Sequence, residues 1–329
     1  MKLYLLILMT LTYPIILNAQ NDFQIFDELQ QNIWYLPTDD EQARLYVTQI
    51  GKGDTIITLH GGPGNDFHYL VDAVRNNAHK NTFVLFDQRG SLMSPVKDSL
   101  ISSLSLDLLV DDLETLRKAL NQEKVVLLGH SFGSLLAISY YLKYPQNVKG
   151  IILTATMPPY VNKVKPFSAV VKDIHSRIKV VRNRPEIQEI IKKEGLENDS
   201  LLTAQQKSDK SKIAGNAAIN MVNIKNWRKF KGGGVYYNYL IDSAIASSIP
   251  ETYDIRNVLD KFPVPISIIQ GDQDYIDPAG ENWKEIKEAY QLVKLFVVKS
   301  SSHYIWLDHQ LEFDELMRQE LDRIKSFGK

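Results

Sequence analysis

A serine, an aspartate and a histidine, each placed just after an apolar run, carry the chemistry that this chain's residue types allow. Ser131 is the centre of Gly129-His130-Ser131-Phe132-Gly133. A serine hydroxyl is a poor nucleophile near neutral pH. It needs a base to take its proton, and the base needs a partner that fixes its tautomer. His303 follows the last apolar run, Val293 to Val298, and is the expected base. Asp274 lies three residues past Gly271, where a side chain can reach back towards it. Asp272 and Asp277 compete for that role, although Asp272 is better suited to closing the turn. The remaining histidines fit less well. His60 belongs to a glycine-rich loop, and His130 sits inside the pentapeptide with its side chain expected to point away from that of Ser131. His68, His79 and His175 read as surface or packing residues, and the fallback His309 falls in a terminal helix.

These side chains need a scaffold that holds them at one edge. Val125 to Leu128 is a short apolar run of the kind that forms a strand buried on both faces. Leu135 to Leu142 reads as a helix, so the pentapeptide is expected to be a sharp strand-to-helix turn that lifts the serine hydroxyl. Glycines on either side remove Cβ atoms that would clash across such a bend. A second buried strand, Thr55 to Leu59, ends in His60-Gly61-Gly62-Pro63-Gly64. That loop can bring backbone N–H groups close to a ligand, and acyl transfer needs such donors for the oxyanion, each worth about 2.7–4 kcal/mol. Thr82 to Phe86 is the next strand, and the Asp87-Gln88-Arg89-Gly90-Ser91 after it is read as bracing the loops rather than binding substrate. Helices are expected over 65–80, 105–120, 279–290 and 308–327, and further strands over 44–50, 150–154 and 264–270, with an edge strand within 22–37. Alternating strands and helices predict a mostly parallel sheet with helices on both faces.

The alternation stops near Met157 and resumes after Pro250. Between them the pattern is helical and more polar, as in Glu186 to Lys193 and Ser208 to Val222, followed by Trp227, Phe230, Gly232-Gly233-Gly234 and Tyr236 to Tyr239. The division expected is a core of 20–156 and 251–329 with a helical cap over 157–250. The cap aromatics either fill its small core or line a pocket. Residues 1–19 differ from all of this: Lys2, an apolar stretch from Leu3 to Leu17, then Asn18-Ala19-Gln20. They read as an export signal cut after Ala19, too short to span a bilayer and broken by Pro14. The mature protein is therefore expected in the periplasm or outside the cell, off the membrane. No cysteine is present, so an exported chain of this kind must rely on its core rather than disulfides. A net charge of -1 without basic blocks speaks against a nucleic-acid partner, and no metal or organic cofactor is implied.

Taken together, His60-Gly61-Gly62-Pro63-Gly64, Asp87-Gln88-Arg89-Gly90-Ser91, Gly129-His130-Ser131-Phe132-Gly133-Ser134, Gly271-Asp272-Gln273-Asp274 and His303 resemble the prolyl iminopeptidase branch of the α/β-hydrolases, peptidase family S33. The resemblance covers about residues 40–326 and implies the α/β-hydrolase fold. It also implies the N–H groups of Phe132 and of Gly62 or Gly61 as oxyanion donors, and cap carboxylates that hold a substrate's free amino terminus. Glu186 and Glu189 are candidates for those carboxylates, with Trp227 and His60 as further substrate-binding candidates. The pentapeptide departs from the branch, where Gly-Gly-Ser-Trp-Gly is common, and so does Leu92-Met93-Ser94 after the Asp-Gln-Arg-Gly-Ser segment. The first functional reading is an aminopeptidase releasing N-terminal residues, proline among them, from short peptides. A carboxylesterase or lactonase acting on small acyl compounds is the second. A non-catalytic binding protein on the same fold is the third. Oligomeric state is left open.

Overall fold

The computed structural model describes residues 29–230 and 237–328. The expected export signal, and the Gly232-Gly233-Gly234 and Tyr236 positions of the helical region, lie outside the described residues. The strands are β1 (Trp34–Pro37), β2 (Arg44–Gly51), β3 (Asp54–Leu59), β4 (Asn81–Phe86), β5 (Val125–His130), β6 (Val148–Thr154), β7 (Tyr160–Val161), β8 (Tyr253–Asp254), β9 (Ile266–Gly271) and β10 (Val293–Val298). Eight of them form one sheet in the order β1-β2-β4-β3-β5-β6-β9-β10. The β1/β2 and β2/β4 pairs are antiparallel, and every other pairing in that sheet is parallel. This is the expected mostly parallel α/β sheet, with the expected edge strand supplied by β1.

β5 and β9 are buried along their whole lengths, because helices cover both faces. The principal helices are α1 (Leu106–Ala119), α2 (Phe132–Lys143), α3 (Phe167–Arg182), α4 (Pro185–Lys193), α5 (Ala204–Ser211), α6 (Tyr239–Ser247) and α7 (Gln310–Ser326). Successive strand residues point to opposite faces. Accordingly Ile57, Val84 and Leu127 pack with Leu109 and Leu113 of α1 and Leu135 and Ile138 of α2. Ile56, Leu85, Val126 and Leu128 pack on the other face with Phe313, Met317, Leu321 and Ile324 of α7. Ser105 starts α1 by accepting the Leu108 N–H at 3.3 Å.

Two expected helices are broken. Over 65–80 only short turns form, His68–Leu70, Val71–Val74 and Arg75–Asn77. The first and last close their main-chain bonds after three residues and only Val71–Val74 after four, while the Asn76 and Asn77 side chains turn aside to Asp314 of α7. Over 279–290 a 3-10 segment, Pro278–Trp283, precedes Lys284–Ala289, because Ala279 and Gly280 adopt positive φ.

Between β6 and β9 the chain leaves the sheet. β7 and β8 pair antiparallel at the neck of the excursion, Tyr160 opposite Asp254 and Val161 opposite Tyr253. α3 to α6 lie between them, with a π-helical stretch, Lys212–Ala217, after α5. Ile187, Ile190, Ile213, Ala217 and Trp227 are buried there. Asp308 fastens this region to the core: its carboxylate accepts N–H groups from Val222, Asn223 and Ser302 at 3.0, 3.2 and 3.0 Å. Among the described residues no helix is long and apolar enough to cross a membrane.

Candidate active site

Ser131 stands between β5 and α2 at φ 55° and ψ −124°. Such a conformation costs a non-glycine residue about 1–3 kcal/mol and persists only where its surroundings enforce it. Here the Ser131 N–H donates to Thr154 O at 3.1 Å, and the Ser134 N–H and hydroxyl donate to Ser131 O at 2.9 and 2.5 Å. The bend admits no side chain around it. A Cβ on Gly133 would lie 2.1 Å from Leu59 O, and one on Gly129 would lie 2.5 Å from Gly133 O. Strand, turn and helix thus present the serine as the sequence predicts.

His303 follows β10 and meets Asp274, which follows β9, with 3.0 Å between Nδ1 and Oδ2. Both side chains are buried. An ionised carboxylate only accepts, so Nδ1 carries the proton and Nε2 keeps its lone pair. The second oxygen of Asp274 accepts the Ile276 N–H at 2.7 Å. Arg177 of α3 steadies the same turn by donating to Tyr275 O and Ile276 O at 2.5 and 2.8 Å. The Tyr275 ring stacks on His303, centroids 4.4 Å apart. The competing carboxylates have other partners. Asp272 accepts the Ser301 N–H at 3.2 Å, closing the turn as expected. Asp277 accepts the main-chain and side-chain N–H groups of Asn282. Burial pushes Asp277 up to about 7. His309, the fallback base, precedes α7 and is outside the cavity that holds Ser131 and His303.

The glycine loop corrects one expectation. The Gly61 N–H donates to the Tyr69 hydroxyl at 2.6 Å, so it is not free to bind an oxyanion. No described residue accepts the Gly62 N–H, and Phe132 opens α2, where the first N–H groups lack intrahelical acceptors. Of the expected oxyanion donors, Gly62 and Phe132 are therefore the two whose N–H groups have no acceptor among the described residues. Gly61 has a steric task instead, since a Cβ there would meet Ser131 Cβ at 2.7 Å.

His60 is also reassigned. It is fully buried, its Nε2 accepts the Gln88 N–H at 3.1 Å, and its Nδ1 donates to Gly61 O at 3.1 Å. Desolvation, partly opposed by Gly61, pulls it down to about 4, so the ring is neutral and braces the loop rather than touching substrate. Gln88 returns a bond to His60 O at 2.8 Å, while Asp87 accepts N–H groups of Phe67 and Met93. The Asp-Gln-Arg segment braces, as read from the sequence.

Ser131 and His303 open onto one cavity of about 400 Å³. The core contributes Gly61, Gly62, Tyr275 and Tyr304 to its wall, and the helical excursion contributes Arg182, Asn216, Asn220 and Tyr237. Glu186 and Glu189 are not in that wall. Ile187, Ile190 and Ile191 take the buried face of α4, which turns both glutamates to solvent. Trp227 is not in it either; the ring is buried in the helical region with the Arg228 guanidinium 4.2 Å from its centroid.

One feature was not expected from sequence. His130 faces the site: Tyr69 Oη is 2.7 Å from His130 Nδ1, and His130 Nε2 is 3.2 Å from His303 O. Tyr69 already accepts from Gly61, so its own proton goes to Nδ1, and Nε2–H then donates to the His303 carbonyl. Desolvation and the neighbouring His303 hold His130 well below the usual imidazole range. Its position beside Ser131 was the available signal; Tyr69 and Arg182 had none. Among the described residues no group of three or more His, Cys, Asp or Glu side chains is placed to hold a metal ion.

Comparison with known proteins agrees with this architecture. Residues 54–310 match the family model described as alpha/beta hydrolase fold. A proline iminopeptidase of Saccharolobus solfataricus is 26% identical over 293 residues, covering 84% of this chain and 88% of its own. Among solved structures, a proline iminopeptidase-related protein of Thermus thermophilus superposes with TM-score 0.62 at 22% identity, covering 89% of this chain and 98% of that one. A thermophilic esterase of Thermogutta terrifontis gives TM-score 0.61 at 18% identity, covering 89% and 99%.

Proposed function

This chain belongs to the alpha/beta hydrolase fold family, and on that premise we propose that it is a serine hydrolase working through an acyl-enzyme. The observation that carries the reading is the buried His303–Asp274 pair, 3.0 Å apart, sharing one cavity with a serine held at φ 55°. Ser131 Oγ attacks the acyl carbon while His303 Nε2 takes its proton. The N–H groups of Phe132 and Gly62 receive the negative charge that develops on the acyl oxygen. His303 then hands the proton to the leaving group, and water, deprotonated by the same imidazole, releases the acid. A fluorophosphonate probe is expected to label Ser131, and Ser131→Ala is expected to abolish labelling and lower turnover by about 10⁴-fold or more. An unlabelled wild-type protein would end the proposal.

Two substrate readings follow. The curated relative supports an aminopeptidase acting on short peptides. A free amino terminus needs a carboxylate facing it, and the described cavity wall offers Arg182 and amides instead. That observation favours small esters or lactones. Proline and alanine naphthylamides assayed against nitrophenyl esters separate the two: ester turnover without amide turnover is the expected result, and efficient proline release would restore the peptidase reading.

A further inference from the structure

Resting on the ester-hydrolase reading, we infer that the substrate carries a carboxylate, and that Arg182 at the end of α3 receives it. Three arginines close together along the cap sequence, Arg177, Arg182 and Arg184, have different duties. Arg177 is committed to the carbonyls of Tyr275 and Ile276. Arg184 is committed to those of Ala218, Met221 and Val222. Arg182 lies in the cavity wall and has neither a hydrogen bond nor an ion pair among the described residues. It shares that wall with Tyr275, whose ring covers His303. A guanidinium presents a planar fork that fits a carboxylate with two parallel bonds, and a carboxylate held there completes it.

The neighbouring groups agree in sign. Asn216 ends in an amide that can donate, and it sits in the π-helical stretch Lys212–Ala217, a local distortion frequent at functional sites. No carboxylate offsets the arginine within the wall. Asp274 lies behind His303, fully buried. Asp242 is the cap acid associated with Tyr237; it bonds that phenol and is not itself part of the wall. A protonated amine entering this cavity would meet a cation of its own sign, whereas a carboxylate would meet a partner.

The test is a paired-substrate series. Nitrophenyl monoesters of four- to six-carbon dicarboxylic acids are compared with the neutral monocarboxylic esters of matched length. The acetate ester of hydroxybenzoic acid is compared with that of its methyl ester, so that a carboxylate on the leaving-group side is covered too. The expected result is a kcat/KM about tenfold higher for the acid of at least one pair, shrinking as salt rises from 0.05 to 0.5 M because the guanidinium is exposed to solvent. Arg182→Glu is expected to invert that preference and Arg182→Lys to keep part of it. Equal or better turnover of every neutral partner by the wild type, or a preference unmoved by Arg182→Glu, overturns the inference. Failure of all esters together with failed fluorophosphonate labelling would instead overturn the hydrolase reading beneath it.

Discussion

The phenol of Tyr69 joins three loops that are far apart along the chain. It accepts from Gly61, donates to His130, and through that ring reaches the carbonyl of His303. The residue before Ser131, the glycine loop and the His303 loop are thereby held in one register. Each link is buried, so losing a partner strands a polar group rather than exposing it to water. Tyr69→Phe keeps the ring, which stacks on Tyr304 with centroids 5.0 Å apart, and removes only the hydroxyl. The variant is expected to lose about 1–3 kcal/mol of stability in urea unfolding, since the Gly61 N–H and His130 Nδ1 both lose their partner. Its kcat is expected to fall while KM changes little, because the loops and not the substrate are displaced. Unchanged kcat would show that the chain of bonds is only structural. From sequence, His130 was expected to turn away from Ser131; its ring instead lies 4.7 Å from that of His303. Backbone alternation suggests where a side chain starts, but the partner across the turn decides where it ends.

Strand ends are fixed to helices by buried charge. Arg89, just past β4, donates to both oxygens of Asp112 on α1 at 2.8 and 2.6 Å, and to Asp40 at 2.6 Å. Burial works to raise Asp40's pKa, but the bonds from Arg89 and Thr38 win and hold it at about 2. Arg89→Met fills similar volume but leaves Asp112 buried without its cation. A destabilisation of about 3–5 kcal/mol is expected, read as a shift of the urea midpoint. A shift below about 1 kcal/mol would mean that water reaches Asp112 and the brace is unimportant. The strands and α1 could be read from sequence because continuous apolar runs and 3.6-residue periodicity are local signals. The segment 65–80 could not, because its asparagines are claimed by Asp314, more than two hundred residues away along the chain.

Across the molecule, buried titratable groups pull the pH dependence of stability in opposite directions. His60, held at about 4, contributes fully above its unfolded value of about 6.5, and that contribution is lost as pH falls towards 4. Asp277 is raised to about 7, so its contribution is complete below about 3.8 and is lost as pH rises through 7. Asp277→Asn keeps an acceptor for the Asn282 N–H and removes the titration. Its stability relative to wild type is therefore expected to increase between pH 5 and pH 8.5, measured as the difference in urea midpoints. A difference independent of pH would show that Asp277 is already ionised in the folded state throughout that range.

Local order in the sequence was enough for the sheet, the strained serine turn and the pairing of His303 with Asp274. Those features depend on runs of apolar residues, on glycines where a Cβ would collide, and on loops that directly follow strands. The direction of charge in the cavity was a different kind of quantity. Glu186, Glu189 and Arg182 all lie on polar helical segments of similar composition. Which of them faces Ser131 depends on how the helices dock onto the strand ends, through contacts such as Asp308 with Val222 and Asn223. Docking turned the isoleucines of α4 inward, its glutamates to solvent, and the end of α3 into the cavity that holds Ser131. A helix carries its charges in its sequence, but only packing against a second body gives them an orientation.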